Sequence, residues 1–276
     1  MAVTTNLDAA DIVALRFGVA GLLLAPVAVR RGLALDRLGW LGLGALIAGT
    51  GAPYALVAAI GLRFAPAYDG GALNPGCMPL FVALIAAIGL GEKLSTTRKS
   101  GLSLILAGAL VTIGGHATGW SASRAFGDAL FLFAAFLTAC FTVVMRQTKL
   151  DPLHAAALVS TGSLIYLPIY LAAHGTCLAQ SPLVSLAGQA LFQGVIVTIV
   201  SLVLYGRAVS ILGASGGSAF GALVPALSAL FAIPLLGEWP NEMDWIGIAL
   251  ISAGVYLASG APLPSRTQRQ SRPRTI

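Results

Sequence analysis

Nine apolar stretches, separated by short segments that contain charged residues, Gly or Pro, make up most of this chain. Their approximate ranges are 12–29, 40–61, 66–90, 100–115, 127–145, 153–173, 188–208, 213–236 and 244–259. About 20 apolar residues in a helix cross the roughly 30 Å hydrocarbon core of a bilayer. The pattern therefore predicts an all-α polytopic membrane protein with nine transmembrane helices.

The composition excludes a soluble globule. Hydrophobic residues make up 57% of the 276 residues and charged residues only 9%, whereas soluble domains carry about 25% charged residues. The net charge of +6 does not indicate nucleic-acid binding, because the basic residues lie in short loops and a tail rather than on one folded surface. Cys77, Cys140 and Cys177 lack the spacing of metal ligands, so neither a metal nor a cofactor is predicted.

The distribution of Lys and Arg predicts how the chain is oriented in the membrane. When the connections between helices are placed alternately on two sides, thirteen basic residues share one side and three lie opposite. The thirteen are Arg30, Arg31, Arg37, Lys93, Arg98, Lys99, Arg146, Lys149, Arg207, Arg266, Arg269, Arg272 and Arg274, and the three are Arg16, Arg63 and Arg124. Because Lys and Arg concentrate in cytoplasmic loops, the carboxyl terminus is predicted inside and the amino terminus outside, in a plasma (bacterial inner) membrane.

An internal repeat appears when the chain is shifted against itself by 146 positions, which aligns 56–114 with 202–260 without a gap. The matched pairs are Gly70 with Gly216, Gly71 with Gly217, Pro79 with Pro225, Gly91 with Gly237, Glu92 with Glu238, Gly101 with Gly247, and "LILAG" (104–108) with "LISAG" (250–254). The predicted orientation sends the helix over 66–90 inward and its copy over 213–236 outward. The fold predicted is therefore an inverted-repeat helical bundle, an architecture recurrent among transporters.

The Gly-Glu pairs of the repeat, Gly91-Glu92 and Gly237-Glu238, each follow an apolar run. We expect each Gly to free the last turn of its helix and each Glu to reach headgroups or water. A direct part for the glutamates in gating or coupling is the alternative interpretation.

The two copies "PLFVALIAAIGLGEKLS…GLSLILAG" and "PALSALFAIPLLGEWPN…GIALISAG" resemble the paired EamA-type domains of the drug/metabolite transporter superfamily. The segments "ADIVALRFGVAGLLLAPVAVRRG" and "GDALFLFAAFLTACFTVVMR" are similar to that family's second and sixth helices. The resemblance covers residues 10–260, and its motifs are diffuse.

The resemblance implies ten helices in two inverted halves that move small organic solutes through a central cavity. The helix over 127–145 has no counterpart 146 positions earlier, so we expect a ten-helix fold that lacks its first helix, either as a real variant or through a start assigned too late. The predicted organisation is a first half over 1–116, an external linker over 117–126, a five-helix second half over 127–260, and a disordered basic cytoplasmic tail over 261–276.

Candidate site residues are polar or helix-breaking groups within apolar spans. Asp69 is a carboxylate four residues into its predicted helix, which is costly unless it couples protons, binds an ammonium group or faces headgroup water. Its counterpart in the second copy is Ser215. Asn74 and Pro75 lie about 12 Å along the same helix from its start. A kink there provides either a polar pocket and gate or a simple packing bend.

Other candidates follow the same reasoning. Arg16 either snorkels to the outer surface, pairs with Asp69 or receives a carboxylate solute. Tyr54, Thr50, Tyr205 and Thr198 either line a cavity or form interhelical hydrogen bonds. The prolines expected to kink helices or act in gating are Pro75, Pro79, Pro225 and Pro234.

The function predicted is a membrane transporter, an exporter or permease, for small organic metabolites such as amino acids or amphipathic compounds. Its expected partners are a small-molecule solute, the lipid bilayer and protons, and a homodimer is left open. No paired His-carboxylate set, Ser-His dyad or nucleotide motif indicates an enzyme. The alternative is a non-transporting or truncated membrane component of the same fold.

Overall fold

The computed structural model describes residues 7–92, 94–115, 121–174, 182–201, 204 and 220–260. All regular elements in these ranges are helical: α1 (Ala9–Arg31), α2 (Leu35–Thr50), α3 (Ala52–Gly61), α4 (Ala67–Leu90), α5 (Thr96–Gly114), α6 (Ala122–Thr148), α7 (Pro152–Gly162), α8 (Tyr166–His174), α9 (Leu183–Gln189), α10 (Val224–Leu236) and α11 (Glu242–Ala258). A 3₁₀ turn, Ser163–Ile165, joins α7 to α8, and a π-helix, Ala190–Val200, continues α9.

Six helical segments in the described part of the chain are long and apolar enough to cross a membrane, and α10 is a shorter apolar helix. Large apolar side chains such as Leu41, Ile88 and Val184 are exposed on the outside of the bundle. In water such a surface would aggregate, whereas in a bilayer it contacts lipid. The prediction of an all-helical membrane bundle is confirmed.

Ion pairs show which helix ends share a side of the bundle. The starts of α4, α6 and α11 meet where Arg124 binds Asp69 and Asp244. At the opposite side Arg146, at the end of α6, binds Glu92, which follows α4. This second side carries most of the described basic residues and is the side predicted to be cytoplasmic.

The repeat is visible in the packing of α5 against α11. A side chain added at Gly108 would meet the backbone of Gly247 and Ile251, and one added at Gly254 would meet that of Gly101 and Ile105. With the shift of 146, Gly108 is equivalent to Gly254, Gly101 to Gly247, and Ile105 to Ile251. The two contacts are therefore made by equivalent residues of the two copies. The two helices are antiparallel. A two-fold axis perpendicular to them therefore relates the copies, as an inverted repeat requires.

The helix ends of the two copies also match. Gly91 and Gly237 take left-handed conformations, with φ of 64° and 69°, directly after α4 and α10. The N–H groups of Glu92 and Glu238 donate to Ala86 and Ala232 at 3.3 Å. Each bond joins an N–H to the carbonyl six residues earlier and satisfies that carbonyl at a helix end.

The helix starts that follow correspond as well. Ser95 caps α5 by accepting from the N–H of Arg98, and Asn241 caps α11 by accepting from the N–H of Asp244. Since Arg98 and Asp244 are equivalent in the repeat, the same position carries a cation on one side of the bundle and a carboxylate on the other.

Several predicted helices are interrupted or displaced. The helix predicted over 40–61 is broken at Gly51, whose backbone is extended, and the N–H of Ala52 donates to the Ser163 hydroxyl at 3.0 Å. α6 begins at Ala122, so residues 122–126 of the predicted linker are helical and Arg124 lies in the first turn. Apolar periodicity misses such features because the hydrophobic pattern continues across a local backbone break.

The four candidate prolines differ in position. α4 continues through Pro75 and Pro79, whereas Pro225 stands in the first turn of α10 and Pro234 inside it. Thus the equivalent residues Pro79 and Pro225 lie in a helix interior in one copy and at a helix start in the other, where the missing N–H costs nothing.

Candidate functional site

A buried ionic cluster connects three helices at the side of the bundle that the charge distribution predicts to lie outside. It consists of Tyr68 and Asp69 on α4, Arg124 and Asp128 on α6, and Asp244 on α11. Arg124 Nε donates to Asp69 Oδ2 at 2.8 Å, and Arg124 Nη2 donates to Asp244 Oδ1 at 3.2 Å and to the Tyr68 hydroxyl at 3.3 Å. The guanidinium also lies over the Tyr68 ring, 5.6 Å from its centroid.

The cluster holds more negative than positive charge. All three carboxyl residues are fully buried, at 0% exposure, and they interact electrostatically with one another and with the single guanidinium of Arg124. Asp69 and Asp244 are each the third residue of their helix, where the helix dipole favours a negative charge. Asp128 lies deeper, as the seventh residue of α6. Three carboxyl groups therefore share one guanidinium, and repulsion between like charges in a low dielectric makes the cluster a candidate site for proton coupling.

The Gly-Glu glutamates are both engaged with the protein. Glu238 Oε2 accepts from the N–H of Ala67 at 2.8 Å and so caps the start of α4, next to Asp69. Glu92 binds Arg146 at the opposite side. Both glutamates therefore bind protein groups, which the sequence did not predict, and the Glu92 side chain is also 38% exposed.

A second group of polar residues, here called the arginine layer, lies deeper and consists of Arg16, Tyr54, Asn74 and Thr198. Arg16 Nε donates to the Thr198 hydroxyl at 3.2 Å, and Asn74 Nδ2 donates to the Tyr54 hydroxyl at 2.9 Å. Arg16 and Tyr54 interact electrostatically. The arginine layer thus joins α1, α3, α4 and the π-helix.

The structure brings together four of the residues proposed from the sequence and separates others. Arg16 does not pair with Asp69, whose Oδ2 binds Arg124. Thr50 ends α2 at the break beside Gly51. Tyr205 and Ser215 lie outside the described residues.

Sequence reasoning missed Tyr68, Arg124, Asp128 and Asp244 as site residues. Arg124 was assigned to an external linker because the apolar run begins after it. A signal was present in Asp128, a charged residue inside the apolar run "GDALFLFAAF", since an ionisable group within a span marks a functional position by default.

Three comparisons place this geometry among known proteins. The chain matches the EamA-like transporter family over residues 1–114 and 125–260. A relative described as "Probable terminal-alkyne amino-acid exporter", from Streptantibioticus cattleyicolor, is 28% identical over 193 residues, which make up 69% of this chain and 63% of the relative. The matched region therefore spans less than two thirds of that relative.

A solved crystal structure of a protein superposes on this one with a TM-score of 0.56, covering 90% of this chain and 85% of that chain at 22% identity. At that identity the likeness concerns the fold alone.

Proposed function

This chain belongs to the EamA-like transporter family, and on that premise we propose that it exports small organic metabolites, amino acids or amphipathic compounds, across the bacterial inner membrane. The solute passes by alternating access through a central cavity between the inverted halves, and the carboxyl terminus faces the cytoplasm. The name of the relative from Streptantibioticus supports amino acids as the first class to test.

The observation that carries this proposal is the ionic cluster, because it ties the two halves together at the outer side. Asp69 belongs to the first half, whereas Asp244 lies in the second and Arg124 lies on α6, the helix that leads from the linker into the second half. With these contacts made, the outer end of the bundle is held closed. An outward-open state requires Arg124 to leave at least one carboxylate, and breaking a buried ion pair is costly unless another charge or a proton compensates.

Protons provide that compensation. When Asp69 takes up a proton from outside, it loses its charge and its hold on Arg124, and the halves separate at the outer side. Release of the proton to the inside, after the outer side has closed, restores the pair. Proton uptake is thereby linked to opening, so that inward proton movement drives outward solute movement.

A flux assay in proteoliposomes tests the function. Purified protein is reconstituted with a panel of radiolabelled amino acids and amphipathic amines, with and without a proton gradient. We expect at least one solute to be transported faster than in protein-free vesicles and to respond to the gradient. If no solute crosses, the alternative of a non-transporting membrane component is favoured.

Asp69→Asn tests the coupling. The amide cannot lose a proton, so we expect the pH dependence of flux to flatten while the variant still inserts into the membrane. The matched control is Asp36→Asn, because Asp36 is an exposed carboxylate paired with Arg37 at the other side of the bundle. An unchanged pH profile in Asp69→Asn would remove Asp69 from the coupling mechanism.

A further inference from the structure

Arg16 lies well below the surface of the bundle. It is seven residues from the start of α1 at Ala9, and Tyr54 and Asn74 are each seven residues from the corresponding ends of their helices, Gly61 and Ala67. At 1.5 Å per residue, seven residues correspond to about 10 Å along a helix axis. Arg16, Tyr54 and Asn74 therefore lie at a similar depth, about 10 Å from the corresponding ends of their helices.

Arg16 has no Asp or Glu partner among the described residues. All ten Asp and Glu residues of the sequence lie in the described part of the chain, and none forms an ion pair with Arg16. Their partners or positions are as follows: Asp8 with Arg63, Asp36 with Arg37, Asp69 and Asp244 with Arg124, Glu92 with Arg146, Asp151 with Arg31, Asp11 with Tyr170, Asp128 in the ionic cluster, Glu238 with the Ala67 N–H, and Glu242 exposed at the start of α11.

A cation at this depth is costly unless an anion or water meets it. Because no Asp or Glu side chain of the described residues pairs with Arg16, its charge is left for water or for an anion from outside the chain. This excludes the interpretation of Arg16 as half of an internal ion pair.

The neighbours of Arg16 hold its guanidinium in a defined position. Thr198 accepts from Nε and donates its own hydroxyl proton to the Gln193 carbonyl five residues earlier, at 2.8 Å, a contact that the π-helix provides. The guanidinium also lies 5.2 Å from the centroid of the Phe17 ring. No described residue accepts a hydrogen bond from either Nη atom, so the paired Nη groups present the fork that binds an oxyanion bidentately.

The break at Gly51 adds a second positive element. Tyr54 is the third residue of α3, a helix that packs against α1, and it interacts electrostatically with Arg16. The N-terminus of a helix carries partial positive charge, and broken helices in transporters direct such ends at anionic groups of the solute. The Tyr54 hydroxyl accepts from Asn74 and keeps its own proton for donation.

We propose that Arg16 and Tyr54, positioned by Thr198 and Asn74, form a binding site for the carboxylate group of the transported solute. The site rests on the proposed function and names its substrate class as compounds that carry a free carboxylate. A phospholipid phosphate has related chemistry, but Arg16 is directed to Thr198 of the π-helix and to Tyr54 within the bundle, so the solute is the occupant that we assign.

Binding to purified protein in a lipid-depleted detergent tests the site. The probes are the proteinogenic L-amino acids and their carboxamides, which keep the side chain and amine but lose the carboxylate, and phosphatidylglycerol serves as the lipid arm. Affinity is measured from the shift in unfolding temperature with ligand concentration. We expect at least one amino acid to stabilise the wild type and its carboxamide to bind at least about tenfold more weakly, since hydrogen bonds to charged groups contribute about 1.5–3 kcal/mol.

Variants assign the effect to the site. Arg16→Gln is expected to lose about tenfold or more in affinity for the acid and to bind the carboxamide unchanged. Arg16→Lys keeps the positive charge but not the two-pronged guanidinium, and Tyr54→Phe keeps the ring but not the hydroxyl. We expect both variants to lose part of the affinity for the acid, and they provide the test if Arg16→Gln does not fold. Arg63→Gln, in an exposed ion pair with Asp8, serves as the control and is expected to match the wild type.

Three results would overturn the proposal: equal binding of acid and carboxamide, wild-type affinity in Arg16→Gln, or stabilisation by phosphatidylglycerol alone. The last result would assign Arg16 to lipid phosphate.

Flux measured in parallel separates the proposed site from the proposed function. Transport of acid and carboxamide at equal rates by wild type and Arg16→Gln refutes the site but not the exporter. Arg16-dependent binding without flux refutes the exporter but not the site.

Discussion

Asp69 and Arg124 are 55 residues apart in the sequence, yet their side chains meet at 2.8 Å. The sequence indicates that a carboxylate at Asp69 needs a partner, because an isolated charge inside a membrane is costly. It does not indicate which partner, since Arg16, Arg63 and Arg124 all fall on the same predicted side. Only the packing of α4 against α6 decides among them.

Asp128 provides a test of the proton in the ionic cluster. Asp128→Asn removes one negative charge but leaves the contacts of Arg124 with Tyr68, Asp69 and Asp244 in place. At about pH 5 we expect the variant to have the same unfolding temperature as the wild type. At about pH 9 we expect the variant to unfold at a higher temperature, because loss of the proton leaves the wild-type carboxylates repelling one another.

The comparison variant is Asp244→Asn, which weakens an acceptor for Arg124. We expect it to lower stability by about 1–3 kcal/mol at both pH values, because a buried charged hydrogen bond is impaired. A stability curve for Asp128→Asn that runs parallel to the wild type across the pH range would contradict the shared proton.

At the scale of the element, glycine determines how closely helices of the two copies approach. Gly108 and Gly254 are equivalent in the repeat, and each allows the facing backbone to come within contact distance of where a side chain would stand. Small residues have this role in membrane bundles, where helices associate by close packing rather than by exclusion of water.

Gly108→Val and Gly254→Val are expected to destabilise the bundle by similar amounts, about 1–3 kcal/mol or more, because the added atoms meet backbone that cannot move aside. Gly114→Val is the control on the same helix, since nothing lies within 4 Å of its added Cβ. Thermal unfolding in detergent measures the difference. Equal stability of the Gly108 and Gly114 variants would show that the close approach is not required.

For the whole molecule, the repeat predicts opposite exposure of equivalent positions. Thr97 and Met243 are 146 residues apart, and both are exposed in the first turn of their helices. In a background in which the three native cysteines are replaced by Ala, we expect Met243→Cys to react with a membrane-impermeant maleimide in intact cells and Thr97→Cys to react only after permeabilisation. Reaction of both in intact cells would contradict the inverted arrangement.

The sequence by itself determined the helical membrane class, the repeat and the ends of its helices. These follow from local chemistry: apolar length sets a span, and Gly91 and Gly237, which adopt positive φ after an apolar run, end their helices there. The sequence also selected Arg16, Tyr54, Asn74 and Thr198 as polar residues in apolar surroundings, although as separate candidates.

The tertiary structure decided which of these residues meet. It placed four of them in one arginine layer, joined Asp69 to Arg124, Asp128 and Asp244, and broke the helix at Gly51. The reason is that charge pairing and backbone breaks depend on side chains from distant helices, such as Ser163 binding the Ala52 N–H. Hydropathy along the chain carries no information on those contacts, because it records what each residue prefers and not which residue lies beside it.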